Sequence, residues 1–298
     1  MSDFVGSEFI WGLGVVEDRK DPLKLGRCRV RVFALHSADK GLLPTEDLPW
    51  AHTLQSVSYA STSGVGHSPH GLVEGSWVYV FFQDGRNLQQ PVILGSAHGI
   101  PSETASKHLG FNDPNGVYPK EAGEPDTNKL ARGDTDKEHV IWSKKKETAS
   151  GDNIDEPESP YAAEYPFNKV GESESGHIEE VDDTPGKERL HRAHRTGTFE
   201  EIHPDGTRVV KVVGDGYNIV LKDQNDLVKG NANLTVEGNV NIIVKGNVDM
   251  KVEGDMDANV DGDLGVTAKG NVDMKAGGNM NVESDGPMVF RAPTIDLN

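Results

Sequence analysis

The sequence predicts an all-β protein: a small N-terminal barrel, an extended linker, a β collar, and a C-terminal rod that three copies build together. Three observations predict it. Glycine recurs every eight residues through the last third of the chain. Between those glycines apolar and polar residues alternate with a period of two, the mark of a half-buried strand. That same stretch lacks the three-to-four spacing of apolar residues that an amphipathic helix requires.

Residues 1–110 read as the barrel. Arg27, Arg29 and Arg31 alternate with Cys28, Val30 and Val32. Trp77 to Phe82 form a more continuous run, and Val92 to Leu94 begin another. Gly26, Gly41, Gly75, Gly85 and Gly95 punctuate them. About five short strands in roughly a hundred residues suit a small barrel. Residues 111–175 lose periodicity and are rich in Pro, Gly, Ser and carboxylates, which suits an extended acidic linker packed along its neighbours. Lys144, Lys145 and Lys146 within it read as a solvated turn. Residues 176–227 regain strand character from Thr198 to His203 and from Thr207 to Val213, with turns at Gly197, Pro204-Asp205-Gly206 and Gly214-Asp215-Gly216. This is the collar.

The rod, residues 228–298, carries most of the octads. Their glycines are Gly206, Gly214, Gly230, Gly238, Gly246, Gly254, Gly262, Gly270, Gly278 and Gly286, with Lys222 the one interruption. A fixed period is read as a repeat architecture before anything else. Counted from each glycine, position two supplies Val240, Val248, Met256, Leu264 and Val272. Position four supplies Ile242, Met250, Val266 and Met274, and position six Val236, Val244, Val252 and Val260. These are the expected core. Asn or Asp follows every glycine from Asn231 to Asn279, a pairing that supplies the positive φ of a tight corner.

One such ribbon would expose its apolar face and its strand edges. An octad spans roughly 25 Å, too little to close a wide single-chain solenoid turn. Three chains around one axis close a triangular prism in which each pairs its edges with the others. With a climb of about 4.8 Å per octad the rod is on the order of 50 Å long. A disordered tail would not hold three apolar positions per unit in phase. After Gly286 the pattern breaks at Pro287 and Pro293 and closes on Ile295 and Leu297. A blunt apolar end of that kind needs a cap, so a small tip protein is expected at those two residues.

Composition narrows the function. The net charge is −18, about half of it in residues 111–180, which argues against nucleic acid as a partner. Cys28 is the single cysteine, so no intrachain disulfide is possible. The N-terminus shows no basic start followed by an apolar run, and no stretch approaches the 18 apolar residues of a membrane helix.

No motif points to chemistry. His191, His194 and His203 fit no zinc spacing and read as collar or surface residues. Asp257, Asn259, Asp261 and Gly262 start like a calcium loop, but Ala268 stands where the closing Glu belongs. Gly12 and Gly14 are only a fragment of a dinucleotide loop, since Glu17 replaces its last glycine. Ser56, Ser58, Ser61 and Ser63 lack a nucleophile elbow. The expectation is therefore no catalytic set, no cofactor and no metal.

Several stretches resemble one family in order along the chain. Gly14-Val15-Val16-Glu17-Asp18-Arg19, Asp21-Pro22-Leu23-Lys24-Leu25-Gly26-Arg27, Leu48-Pro49-Trp50 and Val73-Glu74-Gly75 resemble the opening of the central spike proteins of contractile phage tails. Ser175-Gly176-His177-Ile178, Asp182-Asp183-Thr184-Pro185-Gly186 and Thr196-Gly197-Thr198 are similar to the same family and to the spikes of type VI secretion. The resemblance implies an N-terminal OB-fold and a C-terminal intertwined triple-stranded β-helix. It also implies a homotrimer in the virion tail baseplate, assembled in the host cytoplasm. The barrels would dock on a ring of hub proteins, a PAAR-like protein would cap the tip, and sheath contraction would drive the needle through the host envelope. Members that carry a muramidase hold it between barrel and needle; the linker here is too short for one, so no hydrolase is expected. The alternatives are a type VI or extracellular contractile injection spike, and a carbohydrate-active β-helix tailspike. The last would need a groove with carboxylate clusters.

Overall fold

Alternation along the first hundred residues does close into a barrel. A computed structural model describes residues 9–67, 70–135 and 156–295. Strands β1 (Ile10–Asp18), β2 (Cys28–Val32), β3 (Trp50–Thr53), β4 (Trp77–Phe82) and β5 (Pro91–Ala97) form a closed barrel in the order β1-β2-β3-β5-β4. Every pairing is antiparallel except β3 with β5. Val16, Val30, Val32, Val78, Val80, Phe82 and Ile93 fill its interior, with Cys28 among them. Gly12 and Gly14, a loop fragment by sequence, lie inside β1. A Cβ on Gly14 would sit 2.7 Å from the Val30 side chain and 2.8 Å from the Arg31 carbonyl, so glycine there lets two strands close the barrel.

The second sheet is an antiparallel meander of β6 (Asn168–Glu172), β7 (Ile178–Asp182), β8 (Arg189–Ala193), β9 (Phe199–Ile202) and β10 (Arg208–Lys211). Its first strand begins at Asn168, inside the stretch expected to be linker. Gly197 (φ 99°) and Gly206 (φ 84°) each end a three-residue hairpin loop, where a left-handed residue matches the strand twist. Thr184-Pro185-Gly186-Lys187 turns β7 into β8 with proline and a positive-φ glycine in the order a type II turn demands. The short helix α1 (Lys129–Arg132), with Asn128 accepting from the Leu130 N–H at its start, also lies in the expected linker. Leu130, Tyr161 and Ile178 form a small apolar cluster over one face of the sheet. Lys144, Lys145 and Lys146 fall outside the described residues.

Beyond Lys211 no strand is assigned among the described residues. The chain instead repeats one local shape: six extended residues, then a two-residue bend. The bends fall on 229–230, and beyond 238 on 245–246, 253–254, 261–262, 269–270, 277–278 and 285–286, each on an octad glycine and the residue before it. Residues 238–298 separate as a compact unit of their own from residues 1–237. One expectation needs correcting. From Gly214 onward no octad glycine has a positive φ. The bend spreads over two residues of ordinary handedness, so the following Asn or Asp is not there to support a left-handed corner.

Candidate functional site

Three places concentrate unusual chemistry: a buried ion pair beside the barrel, a charged layer beneath the collar sheet, and the uncovered octads.

The first arises from a bulge. The β1–β2 register shifts between Val16 and Asp18, which places Val16 and Glu17 consecutively out of solvent. Glu17 meets Arg31 of β2 in a two-pronged ion pair, Nε to Oε1 at 2.7 Å and Nη2 to Oε2 at 3.0 Å, with both side chains fully buried. The same carboxylate accepts from the Phe111 N–H (2.7 Å) and the Thr45 hydroxyl (2.8 Å). Arg31 donates onward to the carbonyls of Ser37 and Leu43. A Cβ on Gly110 would fall 2.7 Å from the Arg31 side chain and from the Ala38 carbonyl. One pair thus holds two strands and two loops. The fully satisfied carboxylate has no free lone pair for general acid or base work.

The second is the buried face of the collar. Alternation puts Glu180 and Asp182, Arg189 and His191, and Glu201 on one side of β7, β8 and β9. Arg189 donates to Glu201 (2.7 Å) and to Glu180 (2.7 Å) and lies 5.0 Å from the Tyr161 ring centre. Ser159 (2.9 Å) and His191 (3.0 Å) also reach Glu201, and His203 reaches its other oxygen at 3.0 Å. Burial alone would raise the Glu201 pKa, but the hydrogen bonds from His191 and Arg189 outweigh it and hold the carboxyl down to about 2. A void of about 10 Å³ lies against Ser159, His191 and Glu201, room for one water. His191 and His203, expected as collar or surface residues, converge on one carboxylate through cross-strand pairing, while His194 lies in the exposed β8–β9 turn. Among the described residues no group of three or more His, Cys, Asp or Glu is placed to hold a metal ion.

A carboxyl with a depressed pKa stabilises the fold above its ordinary value, and that contribution fades as pH falls toward about 2. A drop from 4.5 to about 2 corresponds to roughly 3 kcal/mol. We expect amide protection in β8 and β9, followed by hydrogen exchange, to weaken steeply between about pH 4.5 and 2. Glu201→Gln should lower protection at pH 7 and flatten that acid slope; an unchanged slope would exclude Glu201 as its source.

Elsewhere the chemistry is plain. Burial pushes the Cys28 thiol up to about 12, so it is not a thiolate nucleophile. An open cavity of about 910 Å³ is lined by Tyr59, Trp77, Tyr118, Lys129 and Glu172 among others, but Glu121 and Glu124 there sit beside Lys129 in partly exposed ion pairs. On the barrel wall Phe9 stacks on Phe81 (5.4 Å) and Trp11 lies 6.3 Å from Tyr79. Phe9 and Trp11 are more than half exposed.

In the octads every apolar residue expected in the core, from Val236 to Met274, is exposed in the single chain. The corner glycines from Gly230 to Gly286 have no atom within 4 Å of a Cβ built on them. Within one chain nothing demands glycine there: neither handedness nor space. Asp257, Asn259 and Asp261 are exposed like the rest, as is Ile295, while Leu297 lies outside the described residues.

Known proteins are similar to this chain in sequence. The family described as the Gp5 N-terminal OB domain matches residues 34–175. The chain is 46% identical over 269 residues to protein Gp5 of Vibrio phage KVP40, covering 76% of this chain and 63% of that protein. It is 43% identical over 136 residues to the pre-baseplate central spike protein Gp5 of Enterobacteria phage T4, covering 44% of this chain and 23% of that one. The chain thus spans less than two thirds of the length of either relative.

Proposed function

From the similarity of the chain to the Gp5 proteins of phages and to the Gp5 N-terminal OB domain, we propose that it belongs to that family and is the structural central spike of a contractile tail baseplate. It works as a homotrimer in the virion and pierces the host envelope when the sheath contracts. The supporting observation is the octad stretch: a strictly periodic ribbon whose apolar side has no cover within its own chain. Glycine costs about 0.5–1 kcal/mol relative to alanine in an extended segment, so the nine on this period from Gly214 to Gly286 need a reason. With none inside the chain, close approach of other backbones at the corners supplies it.

A needle must resist compression. Three interwound chains meet that need, since every strand edge is paired and each buried Val, Leu or Met adds roughly 1.5–3 kcal/mol before entropy is subtracted. The barrel would dock on a hub ring, with the exposed aromatic residues Phe9, Trp11 and Tyr79 in its contact. Ile295 and Leu297 would meet a PAAR-like tip protein. No catalytic role is proposed, because the buried carboxylates Glu17, Glu180 and Glu201 serve ion pairs.

Sedimentation of the full chain, paired with muramidase and polysaccharide assays, tests the reading. A heat-resistant trimer without hydrolytic activity is expected. A monomer that cleaves glycan would overturn it.

A further inference from the structure

A repeat this regular has a problem of alignment. Sliding one chain by eight residues leaves valine on valine and glycine on glycine, so the apolar positions scarcely choose a register. We propose that an alternating charge ladder on the outer wall sets it, the partner being a second copy of this chain; the proposal rests on the trimer reading above.

The ladder is the residue seven after each octad start: Lys229, Glu237, Lys245, Glu253, Asp261 and Lys269. Where it ends, the residue five after the glycine continues it: Lys275, Glu283 and Arg291. Position five is odd within the extended stretch, hence on the side opposite the apolar residues, and position seven is the first residue of the bend. Lys251 and Glu253, at positions five and seven of one octad, do lie on a common side, with Nζ donating to Oε1 at 2.6 Å while both stay more than 80% exposed.

Geometry makes the alternation count. If each octad climbs one strand spacing and turns onto the next face of a three-fold prism, the strand stacked on octad n is octad n+1 of a neighbouring chain. Lys229 then meets Glu237, Glu237 meets Lys245, and Lys245 meets Glu253 on the neighbour; Asp261 meets Lys269, and only Glu253 on Asp261 is a like pair. Opposite charges directly across neighbouring strands attract and like charges repel. A one-octad slip of a single chain changes two interfaces. One brings every ladder residue level with its own copy, so each pair is like. The other pairs n with n+2, setting Lys229 on Lys245 and Glu237 on Glu253 and leaving only Lys245 on Asp261 and Glu253 on Lys269 as opposite pairs. The residues one and three after each glycine do not share this role: they are Asn or Asp throughout most of the rod, a single sign that treats every register alike.

The test places register reporters away from the ladder. Adjacent strands lie about 4.8 Å apart, within the Cα separation that a disulfide spans. In an N241C/D249C chain, oxidation should join neighbours all round the prism and give a three-chain band on a non-reducing gel. N241C alone should give none, because its copies sit on different faces. The charges are then flattened with E237K/E253K, leaving every apolar position intact. The three-chain product should fall at least twofold, with pairwise links appearing in the N241C background. Reversing the signs with K229E/E237K/K245E/E253K keeps the alternation and should restore it. A flattened chain that cross-links undiminished, or a reversed chain that fails as the flattened one does, overturns the ladder. In either case a trimeric mass of the unaltered chain leaves the spike reading standing, whereas a monomeric mass removes both.

Discussion

A Val244→Asp chain is expected to fold its barrel and collar and to fail to assemble its needle. Val244 is the sixth residue after Gly238, on the apolar side of the octad, and is half exposed in the single chain. Three-fold symmetry would bring three copies together at one height inside the prism. The substitution would therefore place three carboxylates in an apolar layer with no cation opposite them. Each uncompensated buried charge costs several kcal/mol, and mutual repulsion adds to it. Protonation would relieve the repulsion at the expense of three unsatisfied polar groups. Either way the loss exceeds the roughly 1.5–3 kcal/mol that each valine contributes by burial. Sedimentation at neutral pH should show monomers where the parent chain is trimeric. Asn241→Asp, three residues earlier and on the outward side of the same octad, is the control and should leave the trimer intact. An equally heat-resistant trimer from Val244→Asp would show that this position does not face the axis.

The second large effect belongs to the barrel. Glu17→Ala should lower its stability by about 3–5 kcal/mol, because Arg31 would be left fully buried with its charge uncompensated. The change also removes the acceptor of the Phe111 N–H and of the Thr45 hydroxyl, loosening two loops together. Three of the four tryptophans, Trp11, Trp50 and Trp77, lie on barrel strands, so urea unfolding in a Trp142→Phe background followed by tryptophan fluorescence reports this unit. Replacing both partners with apolar residues, Glu17→Leu with Arg31→Met, should be much less damaging than the single change, since no charge remains to be stranded. If the single alanine variant unfolds at the parent's urea midpoint, the pair is not what ties these loops.

Strand by strand, the sequence was most legible where one physical rule acted alone. Trp77–Phe82 reads as a strand because its apolar run has no competing pattern, and β9 and β10 announce themselves by the turns at Gly197 and Pro204-Asp205-Gly206. β1 was harder to read. Its two glycines look like loop residues until β2 is seen packed against them. β6 was hidden because Asn168–Glu172 has little apolar content, and its strand form depends on pairing with β7.

The octads show the division most sharply. The period, the alternation and the places where the chain bends are local properties, written in which residue follows which, and the structure bends where the glycines predict. The handedness of those bends is not local, and it came out opposite to the expectation from Gly-Asn and Gly-Asp pairs. The buried charges are likewise invisible in one dimension. Glu17 with Arg31, and Glu201 with Arg189, His191 and His203, are separated along the chain, and only a bulge or a cross-strand register brings them together. Order along the chain thus determined the fold class, the repeat and the bend positions, because backbone preference and side-chain alternation act between near neighbours. Which polar groups lose their water, and whom they meet when they do, was decided by tertiary structure, because desolvation depends on every element packed around a group and not on the residues beside it.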